Sequence, residues 1–233
     1  MKFDKLIHKK KASLAVLVDP DKFDEGLIKL LKKSSVSFIL VGGSKLKRNN
    51  LRETVKAIKK ITQIPVVLFP GDESQVCKEA DGIFILSLLS GRNPEYLIEK
   101  QVRAAQKIKE FKLNTFPVAY ILVDTGSKSQ TQKVSQTKPI KGDQKILDTM
   151  LAAEQLGFKA VYLEAGSGSK QQVNSTLIKK ATKTISIPLI VGGGISSALG
   201  AQKAKSSGAN VVVVGNALEK NRLLIHALSK VFV

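Results

Sequence analysis

The sequence has few of the residues that support metal, redox or base-stacking chemistry. Its 233 residues include no tryptophan, one cysteine (Cys77) and two histidines (His8 and His226). A single cysteine excludes an internal disulfide and is typical of proteins from a reducing compartment. Neither histidine lies at a predicted strand end, so we expect neither a histidine metal site nor a Ser-His-Asp triad.

Long hydrophobic runs and acidic residues are also scarce. No apolar run approaches the roughly 18 residues that span a bilayer, and the run 14–18 is too short for a signal peptide. We therefore expect a cytoplasmic protein. Only 19 acidic residues oppose 38 basic ones, which gives a formal net charge of +19. This charge suits nucleic acid, an anionic membrane surface or polyanionic small substrates. Because aromatic residues make up only 5% and no nucleic-acid-binding module is recognisable, we expect no nucleic acid.

The chain contains eight short apolar runs, rich in β-branched residues, that alternate with amphipathic helical segments. This alternation is typical of a parallel α/β sheet, and the length fits one large domain covering residues 1–233. We predict a (β/α)8 TIM barrel. Periodicity alone also permits an open doubly wound sheet, although no G-x-G-x-x-G follows the first strand. The predicted strands are 14–18, 36–41, 65–69, 82–88, 116–123, 160–163, 188–191 and 210–214.

One segment interrupts the alternation after the fifth strand. Residues 125–142 (TGSKSQTQKVSQTKPIKG) are polar and lysine-rich and show no period. Loops longer than about 12–15 residues in a compact domain are usually functional or disordered. Because this loop follows the carboxyl end of a strand, its position suits an active-site lid.

Glycines follow the last two predicted strands. Gly192, Gly193 and Gly194 come after strand seven, and Gly215 and Asn216 come after strand eight. Backbone N–H groups in such loops and at the following helix N-termini can bind one anion, and barrels often bind phosphate after strands seven and eight. The alternative is that these glycines only permit tight turns. Two glycine loops in succession favour a phosphate site.

Polar side chains follow other predicted strands. Asp19 and Asp21 end the first strand and Ser44 ends the second, and these oxygens suit Mg²⁺, which binds one or two carboxylates together with substrate phosphates. An ordinary Asp-Pro turn explains the same residues equally well. Tyr162 and Glu164 lie two apart in strand six and therefore on one face, where they could bind a polyol. A purely structural Glu164 would require a nearby lysine or arginine.

Five motifs together resemble the geranylgeranylglyceryl phosphate synthase family, whose relatives include heptaprenylglyceryl phosphate synthase. They occur in family order and cover nearly the whole chain. They are LVDPDK (17–22), LVGGS (40–44), YLEAGSG (162–168), VGGGI (191–195) and VGN (214–216). The resemblance implies a TIM barrel that transfers a prenyl group from a prenyl diphosphate to sn-glycerol 1-phosphate, with Mg²⁺ as cofactor and release of diphosphate.

The resemblance also implies the roles of individual residues. Asp19 and Ser44 would bind Mg²⁺. Leu17, where heptaprenyl-type relatives have lysine, favours the archaeal-like branch and a geranylgeranyl donor. We hypothesise that Glu164 is the catalytic base and that Tyr162 positions the same acceptor. The residues expected to bind glycerol 1-phosphate are Tyr162, Leu163, Glu164, Ala165, Gly166, Ser167, Gly168, Gly193, Gly194, Gly215 and Asn216.

Two other functions compete with this interpretation. Another phosphate-binding barrel, an isomerase or lyase, would need an acid–base pair across the mouth, which these motifs match poorly. A basic nucleic-acid-binding protein would not need the glycines. We further expect a homo-oligomer and, because of the positive charge, peripheral association with the inner membrane surface.

Overall fold

The computed structural model describes residues 6–7, 11–48, 50–126 and 129–233; His8 lies outside these ranges. Eight parallel strands close into a barrel in sequence order, and β1 pairs with both β2 and β8. This closure confirms the predicted barrel and excludes the open sheet. The strands are β1 (Ser13–Val18), β2 (Val36–Val41), β3 (Val66–Leu68), β4 (Gly82–Leu88), β5 (Asn114–Leu122), β6 (Ala160–Glu164), β7 (Leu189–Gly192) and β8 (Val211–Val214).

Helices surround the strands, and several begin at the caps that their sequences supply. Asp24 caps α1 by accepting a hydrogen bond from the N–H of Gly26 at 2.8 Å, and Ser197 caps α7 through the N–H of Gly200 at 3.1 Å. The helices are α1 (Glu25–Leu31), α2 (Leu51–Ile61), α3 (Lys100–Glu110), α4 (Gln130–Ser135), α5 (Asp143–Gln155), α6 (Ser175–Thr184), α7 (Ala198–Ser206), α8 (Asn216–Lys220) and α9 (Leu224–Val231). None of the helices in the described ranges is long and apolar enough to cross a membrane.

The segment after β5 is more ordered than its composition suggests. The sequence shows no periodicity over residues 125–142, yet the helix α4 lies within them. Ser129 and Gln132 form a reciprocal capping box, which stabilises a helix too short to show hydrophobic periodicity. The two ends of the segment are held together by a backbone hydrogen bond from Asp124 to Ile140 of 3.0 Å.

Two other connections depart from a regular barrel. The loop between β3 and β4 contains no helix among the described residues. A π-helical turn, Glu95–Glu99, precedes α3 and carries Tyr96. Single π-turns are frequent at functional sites.

The core has two layers. Alternate strand residues such as Phe38, Phe84 and Tyr162 fill the barrel, while their neighbours pack against the helices. Four aromatic rings gather on the inner side. The centroid of Tyr162 lies 5.1 Å from that of Tyr120 and 5.5 Å from that of Phe69, whose centroid lies 6.0 Å from that of Phe84. These rings form an apolar base beneath the polar groups at the mouth.

Candidate active site

A cavity of about 700 Å³ lies at the carboxyl ends of the strands. Its lining comes from the loops after β1, β2, β6, β7 and β8 and from the first turn of α4. Functional groups in this fold lie at that end of the barrel. The cavity therefore brings together loops that are far apart in sequence.

Glu164, the last residue of β6, is buried beside the cavity, with 6% of its surface exposed. Its Oε1 accepts a hydrogen bond of 2.8 Å from the N–H of Gly166, and the phenols of Tyr120 and Tyr162 also hydrogen-bond to the carboxylate. Burial raises its pKa to about 7, against the opposing effect of these hydrogen bonds. No lysine or arginine in the described chain forms a salt bridge with Glu164. The alternative of a purely structural glutamate therefore lacks the basic partner that it would require.

Tyr162 is fully buried beneath the mouth. A Cβ atom added at Gly192 would overlap with its hydroxyl, so the phenol lies directly against β7. Tyr120, which the sequence analysis did not select, faces Glu164 from β5. Burial and the nearby carboxylate hold the pKa of both phenols well above the usual value, so both remain protonated donors.

The loop after β7 forms one wall of the cavity. Gly193 and Gly194 have φ of 78° and 68°, which side chains other than glycine rarely adopt. A Cβ at Gly193 would overlap with Oε1 of Glu164, and one at Gly194 would overlap with the carbonyl oxygen of Gln171. In the described chain the N–H groups of these two glycines donate to no protein acceptor. They remain available to an anion in the cavity.

The loop after β8 is tied to the loops after β6 and β1 by side-chain hydrogen bonds. Ser167 Oγ donates to Asn216 Oδ1 at 2.9 Å, and Asn216 Nδ2 donates to Glu219 Oε2 at 3.3 Å. Lys22 Nζ donates to the same Glu219 oxygen at 2.9 Å. Gly215 lines the cavity beside them, where a Cβ atom would lie 3.3 Å from the carbonyl oxygen of Leu17. Three strand ends therefore share one network.

Asp19 and Ser44, at the ends of β1 and β2, line the part of the cavity next to this network. Asp19 Oδ1 accepts a hydrogen bond from the N–H of Asp21 at 3.0 Å, and Ser44 Oγ lies 3.3 Å from Thr131 Oγ1. Burial raises the pKa of Asp19, with further contributions from the carboxylates of Asp21 and Glu219. Lys22 Nζ lies 3.9 Å from Asp19 Oδ2 and opposes that rise.

Asp21 does not act with Asp19 as a pair of free carboxylates. Its oxygens accept hydrogen bonds from the N–H groups of Lys47 and Arg48, at 2.6 and 3.1 Å. This carboxylate shapes the loop after β2, which presents Lys45, Lys47 and Arg48 to the cavity.

Two predicted side chains lie away from the cavity. Leu163 and Ala165 pack in the layer between strands and helices, because successive residues of a strand point to opposite faces. The contribution of Leu163 and Ala165 to binding of glycerol 1-phosphate stays a prediction, and their side chains take no part in lining the cavity. Tyr162, Glu164, Ser167 and Gly168 all line the cavity, and Gly166 reaches it through the N–H that holds Glu164.

Other strand-end residues have structural partners. Asp72 forms a salt bridge of 2.9 Å with Lys100, which lowers the pKa of Asp72 to about 2 even though burial opposes the shift. Ser87 Oγ donates to the carbonyl of Leu97 at 2.7 Å, and Asp124 Oδ1 accepts from the N–H of Gly126 at 2.9 Å. None of the three lines the polar cavity.

A second, apolar groove of about 100 Å³ runs between β4, the β3–β4 loop and α3. Its walls include Ile83, Leu86, Tyr96, Ala104 and Ile108. The groove and the polar cavity share a boundary, formed by Gly43, Ser44, Phe69, Tyr120 and Thr131. An apolar chain in the groove would therefore end close to a polar group in the cavity. Sequence periodicity gave no signal for this groove, because its lining residues also read as ordinary core.

The chain is similar to known proteins over nearly its whole length. The PcrB family model matches residues 6–232. Geranylgeranylglyceryl phosphate synthase of Zunongwangia profunda is 45% identical over 214 residues, which cover 90% of this chain and 92% of the relative. The Pyrococcus furiosus protein of that name is 39% identical over 228 residues, covering 94% and 90%.

A solved structure agrees with these relatives. The (S)-3-O-geranylgeranylglyceryl phosphate synthase of Thermoplasma acidophilum, crystallised with sn-glycerol-1-phosphate, superposes with a TM-score of 0.93 at 29% identity. The match covers 100% of this chain and 98% of the other. A match of this extent in both sequence and structure leaves one assignment: the chain belongs to the PcrB family.

Proposed function

We propose that this protein transfers a geranylgeranyl group from geranylgeranyl diphosphate to the C3 hydroxyl of sn-glycerol 1-phosphate and releases diphosphate, a step in ether phospholipid synthesis. One observation carries the proposal. The buried carboxylate of Glu164 lies between glycine N–H groups suited to phosphate and the boundary with an apolar groove. The relatives of that name support it. No observation favours an isomerase, a lyase or a nucleic-acid-binding protein.

The acceptor binds on the β6–β8 side. The N–H groups of Gly193 and Gly194, with Gly215, Asn216 and the loop of Ser167 and Gly168, hold its phosphate. Tyr162 and Glu164 hold the glycerol hydroxyls above the aromatic base. This arrangement fixes the C3 hydroxyl beside the carboxylate.

The prenyl donor binds across the boundary. Its hydrocarbon tail lies in the apolar groove, and burial of each CH₂ group contributes about 0.8 kcal/mol. Its diphosphate lies toward Asp19 and Ser44, where Lys45, Lys47 and Arg48 supply positive charge. The reacting carbon is then held at the shared boundary, facing the acceptor hydroxyl.

The donor side fits a magnesium ion. Asp19 offers a carboxylate and Ser44 a hydroxyl, both hard oxygen ligands. The described residues contain no cluster of three or more acidic, histidine or cysteine side chains that could enclose a metal. A small set of protein ligands suits Mg²⁺, which takes its remaining ligands from water and substrate phosphates. When bound, the ion neutralises charge on the leaving diphosphate.

Glu164 acts as the general base. The acceptor oxygen forms a bond to the first carbon of the prenyl chain, and the bond from that carbon to the diphosphate oxygen breaks. The diphosphate keeps the electron pair, and the hydroxyl proton passes to Glu164. A pKa of about 7 places this carboxylate near the pH at which a general base is most effective. Tyr120 and Tyr162 hold its orientation through their hydroxyls.

The test uses purified protein with Mg²⁺, sn-glycerol 1-phosphate and, in separate reactions, farnesyl, geranylgeranyl or heptaprenyl diphosphate. We expect an ether product, identified by mass spectrometry, to form fastest from geranylgeranyl diphosphate. The matched acceptor control is sn-glycerol 3-phosphate, which presents the same phosphate with the wrong stereochemistry and should react poorly. Absence of product with every donor would contradict the proposal.

We also propose peripheral binding to anionic membranes, where the donor and the product partition. The support is the net charge of +19. Vesicles containing phosphatidylglycerol should retain the protein at low salt and release it at high salt, whereas phosphatidylcholine vesicles should not bind it. Binding that ignores salt would contradict an electrostatic attachment. The expected homo-oligomer stays a prediction, which light scattering on the purified protein would check.

A further inference from the structure

The helix α4 places one hydroxyl at the boundary between the two cavities. Thr131, in its first turn, lines both the polar cavity and the apolar groove. Its Oγ1 lies 3.3 Å from Ser44 Oγ and also hydrogen-bonds to the phenol of Tyr120. Thr131 therefore touches neighbours from β5 and from the loop after β2.

This hydroxyl connects to the buried carboxylate through Tyr120. The phenol of Tyr120 hydrogen-bonds to both Thr131 and Glu164, and its ring packs at 5.1 Å from that of Tyr162. Tyr120 is 7% exposed and Glu164 is 6% exposed, so water has little access to this path. Hydrogen bonds strengthen in such surroundings, and an unpaired polar group there is costly. Thr131, Tyr120 and Glu164 thus form one ordered chain.

The position of α4 depends on contacts at both of its ends. At the start, Ser129 lies so close to Gly166 that a Cβ on the glycine would overlap with it. At the other end, the hydroxyl of Tyr96 donates to the carbonyl of Val134 at 3.0 Å. Gly166 itself holds Glu164, and Tyr96 lines the groove. The helix thus contacts the acceptor side and the donor side together.

We propose that Thr131, in the first turn of α4, is a positioning residue for the prenyl transfer, which orients Tyr120 and through it Glu164. This inference rests on the proposed function. It assigns α4 a role beyond enclosing the substrates, because the helix completes the hydrogen-bonded surroundings of the base.

The direction of the pH effect follows from the groups around Glu164. These are the phenol of Tyr162 on its own strand, the phenol of Tyr120 on β5 and the N–H of Gly166. The loop after β7 faces Glu164 with the backbone of Gly193. Each of the three hydrogen bonds lowers the pKa of the carboxylate. A less well placed Tyr120 would therefore raise that pKa and move the acid limb of the rate profile to higher pH.

The experiment compares Thr131→Val, Thr131→Ser and Thr149→Val. Valine keeps the shape of threonine without its hydroxyl, and serine keeps the hydroxyl. Thr149 is a half-buried threonine of α5 whose hydroxyl bonds only to the carbonyl of Lys145, which makes it a matched control. Steady-state kinetics with geranylgeranyl diphosphate and sn-glycerol 1-phosphate are measured from pH 5.5 to 9.

We expect Thr131→Val to lower kcat about tenfold, the loss of roughly one hydrogen bond. The KM for glycerol 1-phosphate should stay unchanged, and the acid limb of the profile of kcat against pH should move to higher pH. Thr131→Ser should remain within about twofold of wild type, because one hydroxyl restores one hydrogen bond. Thr149→Val should match wild type throughout.

Two outcomes would overturn the inference. An equal decrease of kcat in Thr131→Val and Thr131→Ser would show that the packing of residue 131 matters and its hydroxyl does not. A wild-type pH profile and kcat in Thr131→Val would show that the chain of hydroxyls has no effect. An inactive wild-type protein would instead refute the proposed function, so the two failures are distinguishable.

Discussion

The two sides of the barrel mouth present different kinds of chemical group to the cavity. On the β6–β8 side, glycine loops at Gly193, Gly194 and Gly215 present backbone to the cavity. On the β1–β2 side, the lining consists largely of charged side chains, including Asp19, Lys22 and the basic loop at 45–48. Glu164 lies at the edge of the first region and faces the second across the cavity.

This difference matches the demands of the two substrates. Backbone N–H groups are fixed by the fold, so they suit a small phosphate that must be held in one orientation. Long charged side chains can change conformation. They suit a diphosphate that enters as part of the prenyl donor and leaves as a free ion. The comparison predicts that changes on the glycine side alter acceptor binding and that changes on the charged side alter the departure of diphosphate.

The largest expected effect lies where the two regions meet. Glu164→Gln removes the proton acceptor but keeps the size and polarity of the side chain, so kcat should fall by about 10²–10⁴-fold. In wild type, the rate should rise as pH increases through about 7, since only the ionised carboxylate accepts a proton. Steady-state kinetics across pH measure both effects.

The control for this prediction is Glu53→Gln, the same change at an exposed position on α2. It should leave kcat and its pH dependence unchanged. Turnover at the wild-type rate by a folded Glu164→Gln protein would assign the base role to another group.

The charged side should give the next largest effect. Asp19→Asn keeps an oxygen that can accept the hydrogen bond from Asp21 but removes the charge offered to Mg²⁺. We expect activity at limiting Mg²⁺ to fall about 10²-fold, with a higher Mg²⁺ concentration needed for half-maximal rate. Asp148→Asn, an exposed change on α5, is the control. An unchanged Mg²⁺ titration would place the metal elsewhere.

The glycine side and the fold could be predicted well because both depend on local patterns. The eight strands read as short β-branched runs, and the glycines after β7 and β8 appear directly in the sequence. Asp24 and Ser197, both of residue types that favour N-cap positions, stand directly before α1 and α7. Loops that present backbone follow the fold, so predicting the fold placed these glycines at the mouth, where they line the cavity.

The apolar groove and the helix α4 were not predicted, because both depend on packing between residues that are far apart in sequence. In the sequence, Tyr120 looks like an ordinary strand residue, and only the pairing of β5 with β6 shows that it lies near Glu164. Ala104 and Ile108 look like the core face of a helix, and the missing helix between β3 and β4 leaves the space beside them. Six-residue α4 is too short for a periodic signal. The motif 162–168 also did not show that the side chains of Leu163 and Ala165 point away from the cavity, because a motif does not distinguish the two faces of a strand.

A mutation within the glycine side should affect acceptor binding selectively. Gly194→Ala places a methyl group against the carbonyl of Gln171 at a φ of 68°, which must shift the loop after β7 that we propose binds the phosphate. We expect the KM for glycerol 1-phosphate to rise roughly 10- to 30-fold, the loss of about one charge-assisted hydrogen bond, while the KM for the prenyl diphosphate changes little.

Gly157→Ala is the matched control for backbone strain. Its φ is 87°, but no atom lies within 4 Å of the added methyl group. A similar KM change in both variants would mean that strain, rather than the phosphate loop, is responsible.

The groove on the donor side is open to a similar paired test. Ala104 lines the groove and is 7% exposed, whereas Ala105 beside it on α3 is exposed. Ala104→Phe should fill the groove and lower the preference for geranylgeranyl over farnesyl diphosphate by about tenfold, measured as the ratio of kcat/KM values. Ala105→Phe should leave that ratio unchanged. An unaltered ratio in Ala104→Phe would place the prenyl tail outside the groove.

The smallest expected effect concerns stability, and it tests whether Glu164 serves catalysis at the expense of the fold. Its pKa rises from 4.5 to about 7 in the folded protein, so the folded state binds the proton more tightly than the unfolded state. As pH rises from about 4.5 to 7, the folded state keeps a proton that the unfolded state has lost, and the free energy of unfolding falls across this window. Glutamine avoids this cost, so Glu164→Gln should be more stable than wild type at pH 8, by about 1–3 kcal/mol, and should show little difference below pH 4.5. Urea unfolding at the two pH values measures the difference. A Glu164→Gln protein that is inactive yet more stable at pH 8 would identify a carboxylate kept for chemistry, whereas lower stability at both pH values would identify a structural one.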